Sequence, residues 1–220
     1  MEYELGAPPE RFLGVLGITG TSAYFGLLDA AQAKAGDIVF VSAAAGAVGS
    51  VAVQIAKAKG MTVIASAGGP EKCAFVRSLG ADQVIDYKSR PILKSLAAAA
   101  PDGIDVYFDN VGGDHLDAAL ALARNHARFA ICGMIEGYNR AEPTSLRFIM
   151  RIMSARIRLQ GFIVFDYFPR MAEFYRDMGE WLASGAVKPQ ETVVEGLEKM
   201  PEAFLGLFEG ANVGKMLVRL

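Results

Sequence analysis

Residues 42–50 read SAAAGAVGS and join two segments with different apolar patterns. The four residues before them, 38–41, form an uninterrupted apolar run that is typical of a buried strand. From Ala47 onward, apolar residues recur at helical spacing until Gly60, where a left-handed helix end is expected. The stretch is therefore a strand–turn–helix junction. Its small residues either let the strand and helix pack closely or let the backbone approach a phosphate.

The same alternation of apolar runs and helical patterns continues along the chain. Further runs predict strands at residues 62–65, 83–85, 104–108, 128–132 and 159–164. Helical patterns cover residues 70–79, 92–99, 116–123 and 146–153. This order predicts an α/β fold, a doubly wound parallel sheet of the Rossmann type with helices on both faces. Ligands of such sheets bind at the carboxyl ends of the strands, where the strand order reverses.

Residues 44–49 match part of the glycine pattern that binds dinucleotides. In G-x-G-x-x-G, Gly46 and Gly49 take the second and third glycine positions, and Ala44 takes the first. Gly46 would let the backbone approach a pyrophosphate, and Gly49 would let the helix pack on the strand. The helix N-terminus would add free N–H groups and the positive end of its dipole. The strand–turn–helix context favours cofactor binding over simple close packing.

The end of the second predicted strand favours NADPH over NADH. An NAD site usually has a carboxylate there against the ribose hydroxyl, but residues 65–70 read ASAGGP. Lys72 follows at the start of the next helix, where its ammonium group would meet a 2′-phosphate. Two alternatives stay open: Lys72 is a solvated first-turn lysine, or Glu71 binds the ribose.

Composition and charge exclude several other classes of protein. The net charge of −2 provides no basic surface of the kind that binds nucleic acid. The two cysteines, Cys73 and Cys132, are not spaced like metal ligands, so no metal site is expected. So low a cysteine content favours a reducing compartment, the cytoplasm. Residues 38–56 carry no charge, but their polar residues and helical pattern argue against a membrane span. Residues 1–4 do not resemble a signal peptide. His115 and His126 lack partners at ligand spacing, so we expect them at the surface or at helix ends.

Five ordered motifs carry a resemblance to a known family. They are SAAAGAVGSVAVQIAKAKG, EKCAFVRSLGADQVIDYK, YFDNVGG, CGMIEGYN and GANVGKMLVRL. Together they resemble the leukotriene B4 12-hydroxydehydrogenase / prostaglandin reductase group of the zinc-independent medium-chain dehydrogenases/reductases, which includes alkenal double-bond reductases and curcumin-type reductases. The resemblance extends from residue 16 to the C-terminus. It implies NADPH-dependent reduction of the carbon–carbon double bond of α,β-unsaturated aldehydes and ketones.

The resemblance also implies site residues. The family's phosphate loop falls on Ala45, Gly46, Ala47 and Val48, next to Gly49 of the glycine pattern, and its 2′-phosphate ligands fall on Lys72 and Tyr87. The remaining positions that the resemblance places beside the cofactor are Asn110, Cys132, Gly133, Phe162, Ile163, Val164 and Asn212. Cys132 would act through its position rather than its thiol. Glu136 and Gly137 stand where the family often has serine and a larger residue, a difference that concerns the substrate contacts.

Tyr138 matches a tyrosine that is proposed to assist at the substrate carbonyl. The cofactor supplies the hydride, and negative charge then develops on the carbonyl oxygen of an enal or enone. A hydrogen-bond donor at that oxygen stabilises the transition state more than the ground state. Tyr138 is the candidate donor. The alternative is a loop tyrosine that packs over the sheet edge.

The resemblance implies a three-part organisation. Residues 15–188 would be the dinucleotide-binding domain, residues 1–14 would be a remnant or linker, and residues 189–220 would normally complete a GroES-like catalytic domain that precedes this region in relatives. The strand-like KMLVRL at residues 215–220 is therefore expected to lack partners. The chain is then either part of an alkenal or quinone reductase or a shorter NADPH-binding module without turnover. A homodimer through the edge strand near residues 159–164 is also expected.

Overall fold

The computed structural model describes residues 7–139 and 141–220, and a parallel sheet forms its centre. The strands of this sheet are β1 (Ile38–Val41), β2 (Thr62–Ala67), β3 (Gln83–Asp86), β4 (Ile104–Asp109), β5 (Ala123–Ile131) and β6 (Arg158–Gly161). The α-helices of the described residues are α1 (Glu10–Leu13), α2 (Ile18–Phe25), α3 (Gly49–Ala58), α4 (Pro70–Ser78), α5 (Ile92–Ala99), α6 (Gly113–Leu122), α7 (Arg151–Ser154), α8 (Met171–Ser184) and α9 (Met200–Glu209). The prediction for residues 1–4 lies outside the described residues.

The strand order confirms the predicted doubly wound sheet. Neighbouring strands pair in the order β3-β2-β1-β4-β5-β6, and every pair is parallel. The chain moves outward from β1 to β3, crosses back to β4 beside β1, and then moves outward to β6. The carboxyl ends of β1 and β4 therefore open the crevice in which sheets of this kind bind ligands.

Alternate residues of the central strands face two different layers of the core. Val39 and Val41 of β1 belong to one buried cluster, and Phe40 between them belongs to the other. Helices α2, α3 and α8 contribute to the first cluster, whereas α5 and α6 contribute to the second. Because both faces of the sheet are covered, the strands appear in the sequence as continuous apolar runs.

Several predicted boundaries differ from the structure. Helix α3 begins at Gly49 rather than near Ala47, and α6 begins at Gly113 rather than at residue 116. The predicted helix at 146–153 is only the single turn α7, and the predicted strand at 159–164 ends as β6 at Gly161. Residues 162–163 leave the sheet, and a 3₁₀-helix follows at Val164–Arg170. Apolar residues at 162–164 extended the run in the sequence, but Phe162 and Ile163 line a cavity instead, and Val164 begins the 3₁₀-helix.

The expectation that residues 215–220 lack partners is wrong. Strand β8 (Lys215–Arg219) pairs in parallel with β7 (Glu191–Glu195) in a separate two-stranded sheet. Residues 7–14, the described part of the predicted 1–14 segment, lie against this sheet, where the Arg11 guanidinium contacts the Glu191 carboxylate at 2.9 Å. The pairing is invisible to sequence periodicity because about twenty residues, including α9, separate the two strands.

Candidate functional site

A cleft of about 1000 Å³ opens at the carboxyl ends of β1 and β4. The cofactor-binding candidates that line it are Ala45, Gly46, Ala47, Val48, Gly49, Lys72, Tyr87, Asn110 and Asn212. A second cavity, of about 460 Å³, lies beyond the end of β5 and is lined by Cys132, Gly133, Phe162, Ile163 and the catalytic candidate Tyr138. Val164 lines neither cavity and begins the 3₁₀-helix at 164–170. The structure thus divides the predicted residues between two cavities.

The predicted phosphate loop, residues 45–49, is shaped by tight backbone contacts. Ala43 has a φ of +47°, in the left-handed region, and its carbonyl accepts a hydrogen bond from the Gly46 N–H at 3.0 Å. A Cβ on Gly49 would clash with the Ala43 carbonyl oxygen and lie 2.9 Å from the Ala44 Cα. Within the described residues, the N–H groups of Ala47 and Val48 have no hydrogen-bond acceptor. These free donors at the N-terminus of α3 fit an anionic phosphate.

Two lysines and a tyrosine surround the end of β2. A Cβ on Gly68 would lie 2.8 Å from the Tyr87 hydroxyl and 3.0 Å from the Lys88 Cε, so both side chains lie over this glycine. Burial, reinforced by the Lys88 ammonium group, lowers the pKa of Lys72. Among the described residues, neither lysine forms an ion pair. Two unpaired cations beside a hydroxyl donor fit a phosphate monoester better than a ribose hydroxyl.

A buried aspartate holds the turn that follows β4. Its Oδ1 accepts hydrogen bonds from the Tyr107 hydroxyl at 2.6 Å and from the Val111 and Gly112 N–H groups at 2.9 and 2.8 Å. Burial raises the pKa of Asp109. The next residue, Asn110, donates from its Nδ2 to the Ser42 carbonyl at 2.8 Å, which ties the ends of β4 and β1 together. Sequence analysis noted Asn110 and missed Asp109, although a carboxylate directly after a buried strand was a usable signal.

The second cavity is joined to the same turn. The N–H groups of Cys132 and Gly133 donate to the Asp109 carbonyl at 2.9 and 3.0 Å. Burial, followed by the Asp109 charge, raises the pKa of the Cys132 thiol to about 12, so the thiol stays protonated and is a poor nucleophile. Tyr138 is 63% exposed, and its hydroxyl accepts a hydrogen bond from the Met134 N–H at 3.2 Å. Its own proton is free to be donated into the cavity.

The C-terminal segment covers the predicted phosphate loop. The Gly214 N–H donates to the Ala45 carbonyl at 2.8 Å, and Gly214 bridges to Gly46 in parallel register. Asn212 is held by a hydrogen bond from its Nδ2 to the Gly214 carbonyl at 2.7 Å. The end of α9 also lines the cleft. Segments far apart in the chain therefore form one wall of the same site.

His115 is a cleft residue that sequence analysis missed. We expected it at the surface or at a helix end. It lies in the first turn of α6, as one of these alternatives predicts. Its side chain is nevertheless buried, with only 6% of the residue exposed. Burial lowers its pKa to about 4. A lone histidine gave no spacing signal, because its neighbours in the cleft come from distant parts of the chain.

The sequence predicted neither a metal site nor a membrane-spanning helix. Among the described residues, no cluster of three or more His, Cys, Asp or Glu side chains is arranged to bind a metal ion. In the same residues, no helix combines the length and apolarity needed to cross a membrane.

Comparisons with known proteins place this geometry in context. Residues 47–184 match the family model described as zinc-binding dehydrogenase. The chain is 46% identical to a putative NADP-dependent oxidoreductase, YfmJ, of Bacillus subtilis, over 97% of the chain and 65% of that protein. It is 43% identical to prostaglandin reductase 1 of Mus musculus, over 100% of the chain and 68% of that protein. The crystal structure of CurA from Vibrio vulnificus in complex with NADPH matches with a TM-score of 0.90 and 45% identity, over 96% of the chain and 65% of CurA.

Proposed function

Because this chain belongs to the zinc-binding dehydrogenase family, in its zinc-independent medium-chain group, we propose that it binds NADPH for the reduction of α,β-unsaturated aldehydes and ketones. The chain spans 65% of the length of the Bacillus subtilis relative, so this activity is a proposal for the protein of which these residues form the cofactor cleft. The observation that carries the proposal is the cleft itself. Free N–H groups of the phosphate loop and the unpaired Lys72 and Lys88 line one continuous crevice.

The chain's own residues would divide the work between the two cavities. The phosphate loop and Asn212 would hold the pyrophosphate side, and Lys72 and Tyr87 would hold the 2′-phosphate. When bound, NADPH supplies a hydride for the β-carbon of the substrate. Tyr138 would donate a hydrogen bond to the substrate carbonyl oxygen as negative charge develops there. Cys132, Gly133 and residues 162–164 would shape the apolar surroundings of the nicotinamide.

The proposal includes the domain organisation and the cellular location of the protein. Residues 15–188 would form the dinucleotide-binding domain, with residues 1–14 and 189–220 belonging to a GroES-like domain of the kind that the resemblance implies. The ion pair between Arg11 and Glu191 supports an association of the two flanking segments. A cytoplasmic location stays a prediction from the cysteine content.

Cofactor titration with a matched lysine control tests the proposal. We expect Lys72→Ala to weaken NADPH binding about ten- to a hundredfold and to leave NADH binding unchanged, because a charge-assisted contact to the 2′-phosphate is lost. Lys94→Ala removes an exposed lysine outside the cleft and should change neither affinity. Fluorescence or calorimetry gives the dissociation constants. Equal binding of NADPH and NADH by the unaltered chain would contradict the proposal.

Turnover assays distinguish the proposed alkenal reductase from a quinone reductase and from a non-catalytic binding module. NADPH oxidation that depends on an added enal supports double-bond reduction, whereas oxidation by a quinone alone supports a quinone reductase. Tight NADPH binding without turnover of either substrate, in a protein that also carries the GroES-like domain, supports a non-catalytic binding module.

We also propose that the chain forms a homodimer through β6. All four residues of this edge strand are exposed, and Ile163 just beyond it is 60% exposed. Because the outer side of an edge strand has no neighbouring strand, its backbone groups are available to pair with a second copy, next to these apolar side chains. Gel filtration at micromolar concentration is expected to give a dimer. Leu159→Glu should shift it to a monomer, and a purely monomeric unaltered chain would overturn the proposal.

A further inference from the structure

The imidazole of His115 is a buried polar group without a hydrogen-bond partner. Its Nε2 is buried and forms no hydrogen bond with the described residues. The ring nevertheless lines the large cleft rather than the closed core. A buried polar atom without a partner costs about 1–3 kcal/mol, so its retention beside a ligand cleft points to a partner that it gains when the ring turns toward a bound ligand.

The surroundings of this ring suit a flat heteroaromatic group. Pro91, Ile92 and Val111 line the same cleft and carry no polar side-chain atoms. The imidazole stacks nearly parallel to Phe40, with centroids 6.4 Å apart, and meets the Tyr87 ring edge-on at 5.2 Å. Apolar walls with a small number of placed polar groups are the usual design of a site that orients a ligand.

The position of Tyr87 links this pocket to the phosphate-binding end of the cleft. In the proposed function, the Tyr87 hydroxyl and Lys72 hold the 2′-phosphate of the adenosine ribose. The base is attached to the neighbouring carbon of the same ribose, so it must lie close to Tyr87. His115 is the aromatic neighbour of Tyr87 inside the cleft.

We propose that His115 is a specificity residue that recognises the adenine base of the cofactor through a hydrogen bond to its imidazole. The inference rests on the proposed NADPH binding and adds a residue that binds the adenine base, whereas the residues named above bind the phosphates. A neutral imidazole has one donor and one acceptor nitrogen, which suits the amino group and ring nitrogens of adenine. Burial keeps the ring neutral at pH 7, and the opposing effect of the Asp114 carboxylate is smaller.

Imidazole NMR provides a direct readout because the chain has two histidines. His126 is exposed on β5, where its Nε2 accepts a hydrogen bond from Arg156, and serves as the internal control. Titration of ¹⁵N-histidine-labelled chain with adenosine 2′,5′-bisphosphate is expected to shift the His115 ring nitrogens and leave those of His126 unchanged. Inorganic pyrophosphate, which has no base, should leave both unchanged. Unshifted His115 nitrogens in a saturated complex would overturn the inference.

Variants at the same position give the energetic test. His115→Phe keeps a ring in the pocket but removes the hydrogen bond, so we expect about tenfold weaker binding of adenosine 2′,5′-bisphosphate. His115→Gln, which restores a donor and an acceptor, should recover part of this loss. Pyrophosphate affinity and the melting temperature report whether the fold is kept.

The outcomes distinguish this inference from the proposed function. If the unaltered chain binds NADPH and His115→Phe binds it equally well, the role of His115 is refuted while the proposed function stands. If His115→Phe weakens pyrophosphate as much as the bisphosphate, the residue acts through the fold and the inference fails. If the unaltered chain binds no NADPH, both are refuted.

Discussion

The Gly49→Val variant is expected to bind NADPH at least about a hundredfold more weakly than the unaltered chain and to lose about 3 kcal/mol in its free energy of unfolding. Any Cβ at this position would clash with the Ala43 carbonyl oxygen and press on the Ala44 Cα at 2.9 Å. Both atoms are backbone. Ala44 is fully buried, and its N–H donates to the Ser66 carbonyl at 2.9 Å, so the loop cannot move away without breaking this contact.

The loss of binding should exceed what the loss of stability alone explains. The clash displaces the loop whose free N–H groups we propose as the phosphate ligands, so calorimetry below the melting temperature should still show weak binding. Gly14→Ala is the matched control, because its added Cβ meets no atom closer than 3.8 Å and lies outside the cleft. Normal NADPH affinity in a folded Gly49→Val chain would refute the assignment of residues 45–49 as the phosphate loop.

The second large effect is expected at Asp109, where alanine should lower the free energy of unfolding by about 4 kcal/mol. The substitution removes the acceptor of the Tyr107 hydroxyl, which is completely buried, and of the Val111 and Gly112 N–H groups. The Tyr107 hydroxyl and the Gly112 N–H would be left buried without this acceptor, and the half-buried Val111 N–H would also lose it. The turn that carries Asn110 would also lose its anchor, so NADPH affinity should fall in parallel. Denaturant unfolding measures the first effect, and Asp102→Ala, at an exposed position, is its control.

Asparagine at position 109 should separate hydrogen bonding from charge. Its Oδ1 can accept the same hydrogen bonds, while its amide nitrogen would replace Oδ2, which is buried and has no partner among the described residues. Burial raises the pKa of Asp109, which means that the ionised carboxylate is disfavoured in the fold. Asp109→Asn should therefore cost far less than alanine. Equal losses for the two variants would show that the hydrogen bonds of Oδ1 are not what stabilises the turn.

The sequence predicted the fold where local patterns and burial agree. Strands β1 and β2 and helices α4 and α5 stand at or within a few residues of their predicted positions, because both faces of the sheet are covered and Gly60, Pro70 and Gly80 mark the ends of elements. The glycine pattern also predicted the junction between β1 and α3 at which the proposed phosphate loop lies. These features depend on residues that are neighbours in the chain.

Features that depend on distant contacts were missed or misjudged. The run at 159–164 looked like one strand, but its second half contacts the helical layer, where Phe162 packs on Gly26 and Phe108. His115 and Asp109 acquire their environments only when β1, β3 and β4 come together. The pairing of β7 with β8 joins segments separated by α9. None of these contacts leaves a periodic signal in the sequence.

The hydrogen bond from Gly214 to Ala45 also bears on biosynthesis. The ribosome completes the β1–α3 junction long before it reaches residue 214, so the loop at residues 45–49 emerges without the segment that later covers it. The contact between Gly214 and Ala45 closes a chain segment of about 170 residues. Because the entropic cost of closing a segment rises with its length, we expect this contact to form late in folding. A nascent chain that stops short of Gly214 would expose an open loop with the apolar wall of the cleft beside it. Chaperone dependence should therefore be greatest in that interval of translation.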